Sequence, residues 1–556
     1  MTMLIDYAYV ALTATLVPWI RFYGPGGQTE AKESLFIVLA GLMLGYCLAT
    51  GTMPGLNGPA QLFTVFVGWI LLSVLWSDSP RFALQEFPRW AAVLFFFLIC
   101  QRGDPNLTLQ AVFALSPFLA LYGIYQAVLG KDPFSENYTK SIAGQKAFYS
   151  WLGNANYCGA YLAPCFFIGL HLGLEITPWY FVPTGIVMLG LVVTKCRASL
   201  VGLFAGFAVL PEIWPYALFL GIAVIGIASA YKPASILARK IYVQIAWRIG
   251  KKRLACGWGP QAYRRKYFRA QADLSKEDPT ILGTPDSPGR HILPYGEYSH
   301  NEYAETVVEF GLVGLVLFLG VTGLCVYQGF SSPVSLLLLS GLAAALVNAW
   351  FFYSFRMAST VMPIMALMGI LSASSTVVLP IQWILAIVVV IGVGRLIWAT
   401  EITRFIAYRH FYRMNTEEDA NKKLREGFKA VKWAPYENLF LLTMARAIMP
   451  AQPHAAMVIM ERALHNDDGT RVAWAMQFTF AQTAFANHAY LVARDSLQHC
   501  IYLNPSNPEF YNKLALTNRF IDEEVKREKK AQKKKQKRNI VKPTMRQVIA
   551  ASKRRH

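Results

Sequence analysis

One run of residues carries the strongest chemical signal in the sequence. Ser299-His300-Asn301-Glu302-Tyr303-Ala304-Glu305-Thr306-Val307-Val308-Glu309-Phe310-Gly311-Leu312-Val313-Gly314-Leu315 closes a long basic loop and runs without a break into an apolar helix. An imidazole at His300 therefore stands at a membrane surface, where burial and nearby charge can set its protonation. With an unperturbed pKa of roughly 6.5, a neutral histidine suits removal of a proton from a hydroxyl. Asn301 and Glu302 flank it as supporting residues. Glu302, Glu305 and Glu309 follow at helical spacings and either orient the histidine or cap the helix.

Guanidinium groups form the second element. Arg197, in Thr194-Lys195-Cys196-Arg197-Ala198-Ser199, lies between two apolar runs. A cation at membrane depth is costly, so it either serves a polar cavity or snorkels to the interface. Arg239 opens a helical run that ends in Gly257-Trp258-Gly259-Pro260, after which Tyr263, Arg264, Arg265, Lys266 and Tyr267 follow. Arginine suits bidentate binding of phosphate oxygens, although many cations in so basic a loop are simply solvated. Arg356, at the start of an apolar run, is either a third such cation or a snorkelling helix end. In Gly153-Asn154-Ala155-Asn156-Tyr157, Asn154 and Asn156 sit where a turn or helix cap would lead into an apolar run.

These residues need a membrane scaffold. Of 556 residues, 54% are hydrophobic and 15% charged, the composition of a polytopic membrane protein. Apolar runs fall near 5–22, 34–51, 61–77, 87–101, 108–129, 157–175, 178–194, 198–212, 214–231, 305–328, 333–352, 357–372 and 377–399. Each approaches the roughly 17 to 25 residues that cross a bilayer core. The expectation is an all-α membrane domain over 1–400, with about 12 to 13 transmembrane helices and a large loop at 232–304. Thirteen spans put every chemically suggestive loop on one face. The positive-inside rule would place that basic face in the cytoplasm, so charge and chemistry conflict.

Past residue 400 the character changes. Residues 401–414 read as a polar, aromatic exit helix and 415 to about 520 as soluble and helical. Segments beginning at Ala430, Ala463 and Cys500 recur at intervals of about 33 to 37 residues, the spacing of tetratricopeptide helix pairs. The expectation is a helical repeat-like domain over 401–525, a surface for a protein partner, and a basic tail over 526–556, disordered unless bound. The formal charge of +20 is concentrated in that tail and in the long loop, which points to phosphate-bearing partners.

Several enzyme classes are excluded. There is no Asp-x-Asp pair, Walker loop, G-x-G-x-x-G, His-Glu-x-x-His or G-x-S-x-G. The eight cysteines have no metal-ligand spacing and most lie in or beside apolar runs as small hydrophobes. His171 reads as a packing histidine, and His410, His454, His465, His488 and His499 stand at no ligand spacing. No metal site or cofactor is implied.

The motifs Leu75-Trp76-Ser77-Asp78, Gly123-Ile124-Tyr125-Gln126, Gly153-Asn154-Ala155-Asn156-Tyr157, Thr194-Lys195-Cys196-Arg197, Arg239 with Gly257-Trp258-Gly259-Pro260, and His300-Asn301-Glu302-Tyr303 with Glu309-Phe310-Gly311-Leu312-Val313-Gly314-Leu315 stand in a fixed order. That order resembles the O-antigen ligase and polymerase superfamily. The familiar Asn-Pro-Asn is Asn154-Ala155-Asn156 here, and the frequent Ser-Arg is Cys196-Arg197.

The resemblance implies a glycosyltransferase-C-like fold in a bacterial inner membrane, with a metal-independent active site on the periplasmic face. It implies an undecaprenyl-diphosphate-linked glycan as donor, Arg197 and Arg239 as diphosphate ligands, and His300 as the base. The acceptor is left open among a glycolipid, a growing glycan and a protein. The resemblance also puts the basic loop outside, against the charge rule. Membrane lipids are partners in this reading and nucleic acid is not. The rival readings are a polyprenyl-phosphate or lipid transporter, which would need the arginines but not His300, and a membrane scaffold, which would need neither.

Overall fold

The computed structural model describes residues 2–19, 27–130, 150–213, 215–216, 233–278, 281, 298–331, 336–373, 403–417, 419–434, 438–465, 473–505 and 507–540. Among them the elements are helices. The chain forms two compact units, Met1–Ala270 with Pro294–Ala434, and Gln271–Leu293 with Pro435–His556. The first unit thus extends past the expected boundary at residue 400, taking in the helices Thr403–Thr416 and Ala420–Trp433, which pack on each other.

Local sequence sets the helix starts of the first unit. Asn57 accepts from the Ala60 N–H at 3.1 Å ahead of Pro59, and Asp104 accepts from the Leu107 N–H at 2.9 Å ahead of Pro105. Each side chain satisfies an orphan donor while proline occupies a position that needs none. At the centre, the helix Ala358–Leu371 buries all its side chains, and Ala155–Glu175 buries most of its own against it. Arg197–Phe207 lies against Leu336–Asn348, an approach that requires glycine. A Cβ on Gly202 would stand 2.4 Å from the Ala344 carbonyl oxygen, and one on Gly206 would stand 2.6 Å from that of Ser340.

Among the described residues six helical segments are long and apolar enough to cross a membrane: Lys32–Thr50, Gly58–Leu75, Pro80–Arg102, Pro105–Leu129, Ala155–Glu175 and Glu302–Phe330. The runs near 198–212, 333–352 and 357–372 form shorter helices of 11, 13 and 14 residues. At about 1.5 Å per residue these reach only about 16 to 21 Å, short of a bilayer core of roughly 30 Å. The last two are bounded by a break in the chain between Asn348 and Ala358, which carries Arg356 inside the protein. Irregular backbone at such depth is tolerated when protein, rather than lipid, surrounds it. The expected span at 377–399, and all of that at 214–231 except Pro215 and Tyr216, lie outside the described residues.

The described part of the large loop is mostly helical, with Pro233–Gly250 and Ala262–Glu277 flanking the turn Gly257-Trp258-Gly259-Pro260. That turn enters a break in the helix Glu302–Ser331 at Gly311, whose φ of 70° and ψ of −170° are non-helical. The break frees main-chain groups which the turn then satisfies. Trp258 and Gly259 N–H donate to the carbonyls of Val308 and Glu309 at 2.9 and 2.8 Å, and Leu312 N–H donates to that of Leu254 at 2.8 Å. The contact is close enough to demand glycine on both sides. A Cβ on Gly311 would lie 2.1 Å from the Ala255 carbonyl oxygen, and one on Gly257 would lie 2.3 Å from that of Glu309. Trp76 adds a hydrogen bond from its indole to the Cys256 carbonyl at 3.1 Å. Lys266 pairs with Asp78, Arg253 stands 3.4 Å from the same carboxylate, and both cations lie over the Trp258 ring.

In the second unit, Asn438–Ile448, Pro453–His465, Ala473–Ala486, Tyr490–Leu503 and Pro508–Ile540 pack each on the next. Ala463 and Cys500, which begin the second and third recurring segments, are buried in the last turns of Pro453–His465 and Tyr490–Leu503. The basic run expected to be disordered is helical as far as residue 540, with the side chains of Lys526–Gln536 exposed. Lysine, glutamine and alanine favour helix even without packing.

Replacing Gly311 by alanine combines a left-handed backbone with a main-chain collision. The expected loss is about 3 kcal/mol or more of stability, measured as a fall in the thermal unfolding midpoint of the purified protein. Gly45, whose added Cβ would meet nothing within 4 Å, should accept alanine without loss.

Candidate functional site

Two helix starts come together on one side of the first unit. Asn154 caps Ala155–Glu175 by accepting from the Asn156 N–H at 2.8 Å, and Arg197 is the first residue of Arg197–Phe207. The Cys196 thiol donates to Asn156 Oδ1 at 3.2 Å and joins the two starts. Behind it, the Ser199 hydroxyl lies 3.2 Å from the Cys196 sulfur and accepts from Asn348 Nδ2 at 2.9 Å. Gly159 permits this approach, since a Cβ there would stand 2.4 Å from Ser199 Oγ. Each helix start presents the positive end of its dipole.

Arg239 lies on Pro233–Gly250, and the charge of Arg197 acts on it. Burial lowers the Arg239 pKa, the Cys196 thiol offsets part of that, and Arg197 lowers it further. Among the described residues no carboxylate or other acceptor is bonded to the Arg239 guanidinium.

His300 faces the same cation. Its ring stacks on Tyr242 with centroids 5.5 Å apart and planes 22° apart, and it meets Tyr353 edge-on at 5.3 Å. Burial, and then Arg239, push its pKa down to about 4. The imidazole is therefore neutral across ordinary pH. Its Nδ1 is buried and has no hydrogen-bond partner among the described residues.

The backbone at His300 is unusual for a residue with a side chain. Its φ of 55° is left-handed, at a cost of about 1 to 2 kcal/mol. Among the described residues, three of the five non-glycine residues with positive φ, Lys195, Gln261 and His300, lie within or directly beside the motifs around this site. Asn301 supports the turn by accepting from the Ala304 N–H at 2.9 Å, and Glu302 N–H donates to the Ala349 carbonyl at 2.9 Å.

Arg356 takes neither of the places expected for it. It is 2% exposed and lies inside the protein. Its Nε donates to Glu302 at 2.8 Å and one Nη to Glu309 at 2.5 Å, with Glu305 at 3.7 Å. Arg89 extends the cluster by donating to the Arg356 carbonyl at 2.8 Å and pairing with Glu86 at 2.8 Å. The carboxylate of Glu302 also accepts from the Phe355 N–H at 3.2 Å. Glu302 and Arg356 therefore hold the segment 353–356 to the helix that follows His300, with no surface left for a ligand.

The structure thus brings His300, Arg239, Arg197, Asn154, Asn156 and Asn301 toward one place and assigns Glu302 and Arg356 to the wall behind it. Sequence reasoning did not single out Tyr242, Tyr353, Ser199 or Asn348. Tyr242 was accessible in principle, since it follows Arg239 by three residues on one helix. A scan against models of known protein families finds none that matches this chain, and a search of curated proteins finds no match.

The two kinds of arginine should respond oppositely to removal. Arg356→Ala leaves three carboxylates buried without their cation and should cost roughly 3 to 5 kcal/mol, read as loss of folded protein or a large drop in unfolding midpoint. Arg239→Ala removes a desolvated cation that Arg197 repels, and should leave the midpoint unchanged or slightly raised.

Proposed function

We propose that this chain is a membrane glycosyltransferase of the O-antigen ligase and polymerase kind. In this reading it moves a glycan from a polyprenyl diphosphate carrier to an acceptor hydroxyl. The observation that carries the reading is the pairing of a neutral, half-buried imidazole, whose buried Nδ1 has no hydrogen bond among the described residues, with Arg239, a guanidinium bonded to no acceptor among them. A general base and an anion-binding cation are what such a transfer needs.

The chemistry then runs as follows. The acceptor O–H gives its proton to His300, and the oxygen forms a bond to the anomeric carbon of the glycan. The bond from that carbon to the diphosphate breaks and the electron pair leaves on the phosphate oxygen. Charge grows on the leaving diphosphate, where Arg239, Arg197 and the N-terminal ends of the two helices stabilise it. These fixed positive groups supply what a metal ion supplies in many transferases.

A resting pKa of about 4 makes His300 a weak base. The donor itself corrects this. One negative charge about 6 Å away, at an effective dielectric of about 20, favours the imidazolium by roughly 3 kcal/mol, or about two pKa units. Donor binding therefore brings the imidazole toward the range where a general base works best.

The helix pairs of the second unit fit a tetratricopeptide-like array, which suits a protein acceptor or an assembly partner. In this reading the protein sits in a bacterial inner membrane with its site on the periplasmic face. A purified undecaprenyl-diphosphate glycan, incubated with the protein in EDTA and offered a lipid A core, a peptide or no added acceptor, tests the reading. Wild type should transfer without added metal, and the productive acceptor names the activity.

His300→Ala and Arg239→Ala should each lower kcat/KM by about 100-fold or more. Transfer by either variant at the wild-type rate would sink the site assignment. Binding of the lipid without any transfer by wild type would favour a transporter. The pH profile is a separate check. A base is lost as pH falls through its pKa, so the acid limb of kcat/KM should lie near pH 4, and that of kcat, which reports the donor complex, should lie higher.

A further inference from the structure

Two acceptors on Glu305 and Ser299 grip the backbone on either side of His300. Glu305 Oε2 accepts from the Ser299 N–H at 2.9 Å and lies 3.0 Å from the Ser299 hydroxyl. That hydroxyl oxygen is also 2.8 Å from the Asn301 carbonyl and accepts from the Asn301 N–H at 3.3 Å. The residue between these anchors is His300, the one whose φ is left-handed. We infer that Glu305 is a positioning residue for His300: through Ser299 its carboxylate fixes the turn that holds the imidazole against Tyr242 and Tyr353, beside Arg239. The inference rests on reading His300 as the base and adds to that reading the group that aims it.

The alternative is that Glu305 serves only as a third counterion for Arg356. The distances argue against this. Glu302 and Glu309 make the short contacts with that guanidinium, at 2.8 and 2.5 Å, whereas Glu305 stands 3.7 Å away. The short contacts of Glu305 go to Ser299. A carboxylate oxygen can accept from both the N–H and the hydroxyl of one residue. An amide at this place would have to turn its NH2 toward either Ser299 or Arg356, both of which offer donors. With the side chain 1% exposed, no water would take over the lost bonds.

The consequence is specific to the imidazole. Wild-type His300 is shielded from solvent and lies near Arg239, two effects that both disfavour its protonated form. Arg239 and Tyr242 face it from Pro233–Gly250, and Tyr353 and Phe352 from the segment before Arg356. Arg197 acts through Arg239. Arg356 and Glu302 are paired with each other. If the turn relaxes, the ring loses its stack on Tyr242 and both effects weaken.

The experiment is a proton titration of the full-length protein in lipid nanodiscs, with its nine histidines labelled with carbon-13 at Cε1 and the His300 signal assigned by its disappearance in His300→Gln. In Glu305→Ala the titration midpoint of His300 should rise by about one to two pH units toward the ordinary histidine value. Ser299→Ala, which keeps the main-chain bond and loses only the hydroxyl, should shift it less and in the same direction. Glu309→Gln, which removes a closer partner of Arg356 without touching Ser299, should leave it in place.

An unchanged midpoint in folded Glu305→Ala overturns the proposal, as does an equal rise in Glu309→Gln. Should Glu305→Ala fail to fold, Ser299→Ala decides by the same criterion. Because the titration needs no substrate, it stands apart from the transfer assay. Absence of glycan transfer by wild type would refute the function while leaving the positioning role to be judged by the midpoint alone.

Discussion

The Arg356 guanidinium is the interaction on which the rest of this unit depends. It is buried with the carboxylates of Glu302, Glu305 and Glu309, three residues of one face in the first turns of a long apolar helix. A charge taken out of water costs several kcal/mol, so such a group persists only when opposite charges are held against it. Here Arg356 receives two short carboxylate contacts, and Arg89 donates to its carbonyl. The clamp fixes the segment around Tyr353 to the helix after His300. The Tyr353 side of the imidazole's surroundings then follows from one buried ion cluster.

A second constraint joins the loop to the apolar helices. The turn Gly257-Trp258-Gly259-Pro260 takes up the main-chain groups released where the helix opens at Gly311. Neither partner could make the contact with a side chain present. Pro233–Gly250, which carries Arg239 and Tyr242, also packs along the helix Glu302–Ser331. The position of Arg239 is thus set from the same helix that follows His300.

Much of this was legible in the sequence, and the limits have physical causes. Helix class followed from long apolar runs, and the helix starts at Asn57, Asp104 and Asn154 from cap residues that satisfy backbone donors. The number of full spans was not legible, because hydropathy does not distinguish a bilayer-crossing helix from a short one wholly enclosed by others, as Ala358–Leu371 is. The alternatives weighed for Arg356, ligand or snorkelling, both assumed that a lone arginine at a helix end looks outward. Its partners come from more than forty residues earlier, and no local pattern pairs them. Glycine at 257 and 311 marked special backbone, but that each excuses the other is a tertiary fact.

The electrostatic design of the first unit follows from how its acids are used. Glu302, Glu305 and Glu309 are turned inward to Arg356, Glu86 to Arg89, and Asp78 to Lys266 and Arg253. None of these carboxylates is bonded to Arg239. The chain thereby spends its negative charge on architecture and leaves positive charge around His300, which keeps the imidazole neutral. Such a place is unfavourable until an anion enters, and its cost is borne by the folded scaffold rather than relieved within it. An anion arriving there gains from every one of these arrangements at once: it offsets the repulsion between Arg197 and Arg239, and it raises the basicity of a histidine already held in position. In the proposed reaction, binding and activation of the base would be one electrostatic event, because Arg239, bonded to no acceptor among the described residues, stands beside a neutral imidazole.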